Sequence, residues 1–293
     1  MKSNIVMPNT PEDTDASIRV HTHSRPWYAF GVAIPIGVLG GLIGLGGAEF
    51  RLPILAGLLG YTARRAVALN VVISLITLLA SLAIRGRTLT LMPIMPLLLP
   101  MMAMIAGAII TAFIGTALVG RLSNERLEQV ILVFLILIGS LLIIEGFLPT
   151  QLPALIPDDP VWQVMTGVLF GLVIGLVSSM LGVAGGELII PTLIFAYGAE
   201  IKVAGSASLL ISLPTVLIGV VRYLSQRAYQ GRRDLNDTIA PMGVGSVIGA
   251  VIGGLLVGVI SSAILKIGLG IILIWSASRI FHHGRDRTIG PVR

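Results

Sequence analysis

Long apolar runs, recurring from residue 27 to residue 281, limit what this chain can fold into. Runs of roughly 18 or more apolar residues are typical of membrane-spanning helices. Hydrophobic residues make up 55% of the 293 residues and charged residues 12%, whereas a soluble domain is about a quarter charged. Too little polar surface is left to face water around a buried core. The sequence therefore predicts an all-α, polytopic integral membrane protein.

The two halves of the chain repeat one pattern at an offset of 138 residues. The stretch GLIGLGGAEFRLPIL (41–55) recurs as SSMLGVAGGELIIPTLI (178–194), and the alignment pairs Glu49 with Glu187. Internal repeats are common in secondary transporters. The predicted organisation is a cytoplasmic tail (1–26), a first repeat (27–148), an extracytoplasmic linker (149–161), a second repeat (162–282) and a cytoplasmic tail (283–293).

Each half contains about five apolar segments. The predicted segments are 27–46, 48–60, 66–84, 91–118 and 128–147, then 162–181, 187–199, 203–224, 238–259 and 263–281. Segments 48–60 and 187–199 reach only ~20 Å, less than the ~30 Å hydrocarbon core, so they either cross with their loops or re-enter. Five passes per half place more Lys and Arg in the cytoplasm than four passes do. An odd number makes the repeats inverted, with both termini cytoplasmic and Arg85 in an extracytoplasmic loop.

Glycine-rich breaks interrupt the runs at equivalent places. Backbone polar groups in lipid need internal partners, so the breaks are expected inside the protein, each followed by a broken or short helix. Helix starts offer unpaired N–H groups, and glycine lets a ligand approach them closely. Two such starts predict an oxyanion site near the midplane, while tight helix crossing is the alternative. The candidate residues are Gly44, Gly46, Gly47 and Ala48 in the first break, and Gly182, Gly185 and Gly186 in the second.

Charged residues adjoin both breaks. Glu49 and Glu187 are intramembrane carboxylates, which are functional candidates. Three interpretations stay open: a structural pair, favoured for Glu49 with Arg51; proton coupling, more favoured for Glu187; or cation binding. Arg51 either attracts an anion or is neutralised by Glu49.

Two polar stripes repeat the same helical spacing. Positions i, i+4 and i+7 share one helix face, so each stripe can offer hydroxyl or amide groups to a substrate cavity. Interhelical hydrogen bonding is the alternative. The stripes are Asn70, Ser74 and Thr77 in the first half, and Ser208, Ser212 and Thr215 in the second.

Other chemistries find little support. The chain has no cysteine, and it lacks H-E-x-x-H, a G-x-S-x-G near a membrane histidine, and a nucleotide-binding loop. We therefore predict no enzyme activity, no metal site and no cofactor. The net charge of +6 reports membrane topology rather than nucleic-acid binding.

The paired motifs GLGGAEFRLPIL and GVAGGELIIPTLI resemble those of the sulfite exporter TauE/SafE family, also called the toluene-sulfonate uptake permease family. The resemblance covers residues 27–282. Ala48 and Ala184 depart from an ideal triple-glycine break. The resemblance implies transport of sulfur-containing anions such as sulfite, sulfonates or sulfoacetate.

These observations together predict a secondary transporter in the plasma or inner membrane. It would bind a small sulfur-containing anion between the breaks and work by alternating access, with proton coupling as an option. The expected partners are the anion, membrane lipid and a second copy in a homo-oligomer. An anion channel and a membrane scaffold or assembly factor are the alternatives.

Overall fold

A computed structural model describes residues 26–88, 92–121, 123–147, 153–226, 228–229 and 234–256, with scattered positions between 261 and 274. Regular structure in this part of the chain is helical. The α-helices are α1 (Pro26–Ile43), α2 (Ala48–Pro53), α3 (Ala63–Thr88), α4 (Leu98–Arg121), α5 (Asn124–Phe147), α6 (Pro160–Leu181), α7 (Gly186–Tyr197), α8 (Ile201–Ser225) and α9 (Ala240–Leu255). A π-helical turn (Ile54–Leu58) extends α2, a second (Leu235–Ile239) leads into α9, and a 3₁₀ turn (Met92–Leu97) leads into α4.

Helix boundaries in the two halves keep the offset of the sequence repeat. The ends of α1 and α6, the starts of α2 and α7, and the starts of α3 and α8 are each 138 residues apart. Three pairs of glycines with left-handed backbone have the same separation: Gly44 and Gly182, Gly47 and Gly185, Gly60 and Gly198. Equivalent sequence has therefore produced equivalent turns.

The first helix of each half packs against the fourth helix of the other half, α1 on α9 and α6 on α4. Small residues permit these contacts. A methyl group at Gly249 would lie 2.1 Å from the Ile34 carbonyl oxygen, and one at Gly171 would lie 2.2 Å from that of Met104. The glycines of α6 and α9 thus permit close helix crossing.

Within the described part of the chain, six helical segments are long and apolar enough to cross a membrane, judged by length and composition: 26–43, 63–87, 93–115, 160–181, 202–225 and 235–255. Their surface fits a lipid environment. On α6, the exposed residues Val161, Met165, Leu169 and Val173 follow one another at four-residue spacing and form an apolar stripe. At the start of this helix, the Asp159 side chain accepts hydrogen bonds from the Val161 and Trp162 amides. The protein is a multi-span membrane protein.

Most predicted segments correspond to helices, with one difference that moves a charged residue. The helix predicted over 66–84 continues to Thr88, because the chain stays helical through its polar end. Arg85 consequently lies on α3 and is 3% exposed, so its assignment to a loop was wrong. The terminal tails and most of 263–281 lie outside the described residues. The number of crossings per half, the inverted orientation and the domain limits stay predictions.

Candidate functional site

The two glycine-rich breaks have closely similar backbones. Gly44, Gly46 and Gly47 have φ values of 88°, 83° and 71°, a region that favours glycine. In the second break, Gly182 (φ 64°) ends α6 and Gly185 (φ 80°) precedes α7. Ala184 occupies the position equivalent to Gly46. The two breaks therefore share left-handed glycines at two equivalent positions, and they differ where Ala184 replaces Gly46 and Gly186 replaces Ala48.

The start of a helix follows each break. The hydrogen bonds of α2 begin with the Arg51 amide donating to Gly47 O at 3.3 Å, and those of α7 begin with the Leu188 amide donating to Gly185 O at 3.0 Å. The amides that precede these lie outside the intrahelical hydrogen bonds, as at any helix start. Helix-start amides of this kind are suited to binding anions.

The breaks contact each other in the interior. A methyl group at Gly46 would lie 3.5 Å from the Ala184 Cβ, and one at Gly186 would lie 3.1 Å from the Leu45 Cα. The structure therefore brings the two predicted breaks to one place.

Two side-chain hydrogen bonds cross between the halves and are related by the repeat. Asn70 Nδ2 donates to Gly182 O at 2.9 Å, and Ser208 Oγ donates to Gly44 O at 2.7 Å. Each stripe thus ties its own helix to the break of the other half. Asn70 Nδ2 also donates to Ala48 O at 2.9 Å.

Arg51 lies against the first stripe and is completely buried. Its Nη1 donates to Asn70 Oδ1 at 3.3 Å and to Ser74 Oγ at 3.2 Å. Its Nη2 donates to Thr77 Oγ1 at 3.1 Å and to Gly46 O at 3.2 Å. The first stripe therefore surrounds a guanidinium group, an arrangement that sequence spacing did not predict.

The second stripe has no such occupant, because Ile189 stands at the position equivalent to Arg51. Ser212 is 2% exposed, and its Oγ has no hydrogen-bond partner among the described residues. Thr215 is also buried. Pro214 lacks an N–H group, which removes one intrahelical hydrogen bond beside these hydroxyls. The buried Ser212 hydroxyl of the second stripe consequently remains available for a hydrogen bond.

Both candidate carboxylates are buried in the first turns of their helices. Glu49 is 0% exposed and Glu187 1% exposed, and none of their carboxylate oxygens has a hydrogen-bond partner in the described part of the chain. The pair favoured for Glu49 with Arg51 is therefore not formed. The Arg51 guanidinium instead donates hydrogen bonds to the first stripe. The charge of Arg51 acts on Glu49 only through space.

Arg85 is a further buried cation that sequence reasoning missed. Its Nη2 donates to the carbonyls of Gly41 and Leu42 at the end of α1, and its Nη1 donates to Ser206 Oγ at 3.0 Å. It thereby caps the helix that leads into the first break. The sequence contained a signal that Arg85 faces the interior, since Ser81 and Arg85 continue the first stripe at four-residue spacing.

The comparison with known families fits this arrangement of two matched halves. The family model described as "Sulfite exporter TauE/SafE" matches residues 5–142 and 147–290. This chain belongs to the TauE/SafE family. No curated protein matches it.

Membership confirms the family resemblance carried by the two motifs. Proteins of the TauE/SafE family are transporters rather than enzymes. The chain is accordingly a TauE/SafE membrane protein, consistent with a transporter of sulfur-containing anions.

Proposed function

We propose that this protein is a secondary transporter that binds a small sulfur-containing anion, such as sulfite, a sulfonate or sulfoacetate, between its two glycine-rich breaks. One observation carries the proposal: two helix starts, whose first amides lie outside the intrahelical hydrogen bonds, meet in the interior of a TauE/SafE protein. Their amides supply donors for oxyanion oxygens, and the dipoles of the helices favour negative charge.

Alternating access follows from burial. The polar side chains Arg51, Ser208, Ser212 and Glu187 beside the breaks are each at most 2% exposed. An anion can reach them only if the helices around the breaks move apart on one side. The cross-half hydrogen bonds from Asn70 and Ser208 must then loosen or rearrange during the cycle.

A proton accompanies the anion in this proposal. Ionised Glu49 and Glu187 would repel an anion at the adjoining amides, and a buried carboxylate without donors is costly in its charged form. A bound proton removes both penalties. We expect an inward proton gradient to accelerate anion uptake, and Glu187→Gln to remove that acceleration while leaving exchange of internal for external anion.

Reconstitution tests the function. Purified protein in liposomes should take up radiolabelled sulfoacetate with saturation, and a gradient of a second substrate anion should drive uptake. The double variant Ser208→Ala, Ser212→Ala should lose most of this flux. The control is Thr111→Ala on α4, whose hydroxyl donates only to carbonyls of its own helix, and it should transport normally.

The alternative functions, an anion channel and a membrane scaffold, predict other results. Uptake that rises linearly with anion concentration, without exchange against internal anion, would indicate a channel. Uptake no greater than in empty liposomes for sulfite, sulfoacetate and other sulfonates would reject the transporter and favour a scaffold role.

A further inference from the structure

Equivalent serines in the two stripes have opposite hydrogen-bonding roles. The Ser74 hydroxyl donates to Asn70 O at 2.6 Å, so only its oxygen faces outward, where it accepts from Arg51. Thr77 likewise donates to Ile73 O at 2.9 Å and accepts from Arg51. The first stripe therefore presents acceptors, which suit a cation.

Ser212, which is equivalent to Ser74, is different. Its hydroxyl is 98% buried, makes no such bond to the preceding turn, and has no other partner in the described chain. Its proton remains available to an acceptor. A buried hydroxyl without a partner costs free energy, and a ligand oxygen would satisfy it.

The packing of α3 on α8 places this hydroxyl near the level of the buried guanidinium. A methyl group at Gly219 would lie 3.1 Å from Val71 Cγ1, and one at Gly205 would lie 3.0 Å from Arg85 Nη1. The two helices therefore run antiparallel, with higher numbers on α8 opposite lower numbers on α3.

Interpolation between these two contacts places Ser212 within about one helical turn of Thr77 along α3. Thr77 accepts from Arg51 Nη2. The charge of Arg51 is buried and no carboxylate is hydrogen-bonded to it. Its field in a low-dielectric interior attracts an anion placed at this level.

We propose that the anion binds asymmetrically, one per chain, with an oxygen accepting a hydrogen bond from Ser212 on α8. The first stripe cannot bind the anion, because Arg51 already lies against it. The hydroxyl protons of Ser74 and Thr77 are also already donated to their own helix. Arg51 acts as the fixed positive charge that attracts the anion toward the second stripe. This inference rests on the proposed function and names which half of the site holds the substrate.

Matched alanine variants test the inference. Sulfoacetate binding to purified protein is measured by calorimetry for wild type, Ser212→Ala and its repeat-related control Ser74→Ala. A hydrogen bond to a charged group predicts a loss of about tenfold or more in affinity for Ser212→Ala. Ser74→Ala should lower thermal stability and change the dissociation constant less than about twofold, since its hydroxyl touches no anion.

Stoichiometry gives an independent reading on the wild-type protein, should Ser212→Ala fail to fold. One anion bound per chain supports the asymmetric site, and two overturn it. Equal losses of affinity in the two serine variants also overturn it, while leaving the transporter proposal intact. If wild type binds neither sulfoacetate nor sulfite, the proposed function fails together with the inference.

Discussion

The two polar stripes share their spacing but differ in what surrounds them. Asn70, Ser74 and Thr77 form a network around Arg51, in which the polar groups of these three side chains each have a partner. On α8, Ser208 is bonded to the opposite break, whereas the Ser212 hydroxyl is unpartnered. Ile189 stands at the position equivalent to Arg51, so the second stripe has no guanidinium to bind.

The difference indicates how a duplicated membrane fold divides its tasks. Features that set the backbone, such as the left-handed glycines and the bonds that cross between halves, are retained in both copies. The buried arginines, Arg51 and Arg85, are present in the first copy alone, and the second has Ile189 and Tyr223 at these positions. A duplicated backbone with equivalent turns can thus hold a site whose two halves differ in charge.

The largest expected loss of stability comes from substituting the left-handed glycines that both breaks share. Alanine at Gly44 or Gly182 would bring a methyl group to 2.3 Å from Gly205 O or 2.6 Å from Val67 O, in left-handed backbone. Strain and overlap together predict a loss of about 4 kcal/mol in each case. Thermal unfolding in detergent measures it. A large loss in only one half would contradict the equivalence of the breaks.

Gly46→Ala is the control for that pair. Its backbone is also left-handed, but the nearest atom to an added methyl group lies at 3.4 Å, and the equivalent residue is already Ala184. Only backbone strain remains, about 1 kcal/mol. A loss as large as that of Gly44→Ala would mean that backbone conformation, rather than contact, governs the breaks.

Substitution of Arg51 and of the equivalent Ile189 compares how much each residue stabilises its half of the protein. Arg51→Met leaves Asn70 Oδ1 and Gly46 O without their donor, and each buried orphan costs about 1–3 kcal/mol. We expect a loss of about 3 kcal/mol, against less than about 1.5 kcal/mol for the equivalent Ile189→Leu. If Arg51→Met unfolds at or above the wild-type temperature, the arginine is kept for its charge and not for stability.

The bonds that cross between halves should differ in strength. Asn70→Ala removes two donated bonds and one accepted from Arg51, whereas Ser208→Ala removes one hydroxyl that donates to Gly44 O and Gly205 O. Losses of about 2 and about 1 kcal/mol are expected, respectively. Unfolding of the two variants in parallel gives the ratio, and equal losses would show that the Arg51 network adds nothing at Asn70.

Much of the fold could be predicted, because apolar length, glycine spacing and the 138-residue repeat are local or periodic signals. The starts of α2, α7 and α8 lie within two residues of their predicted positions. The site was harder, since a side chain's partner depends on distant packing. The charge pattern favoured Glu49 for Arg51, but the folded chain offers it four uncharged acceptors. Nothing in the spacing of Ser74 and Ser212 shows which of them donates to its own helix.

The most direct test of substrate binding at this site uses the absence of native cysteine. Ser212→Cys gives a single thiol, whose reaction with N-ethylmaleimide in membranes is followed with and without sulfoacetate. A sulfonate is preferred to sulfite, since sulfite itself consumes thiol reagents. Ser246→Cys, a buried position on α9, is the control. The account predicts that sulfoacetate slows labelling at position 212 and leaves position 246 unchanged. Equal rates with and without sulfoacetate at position 212 would contradict it.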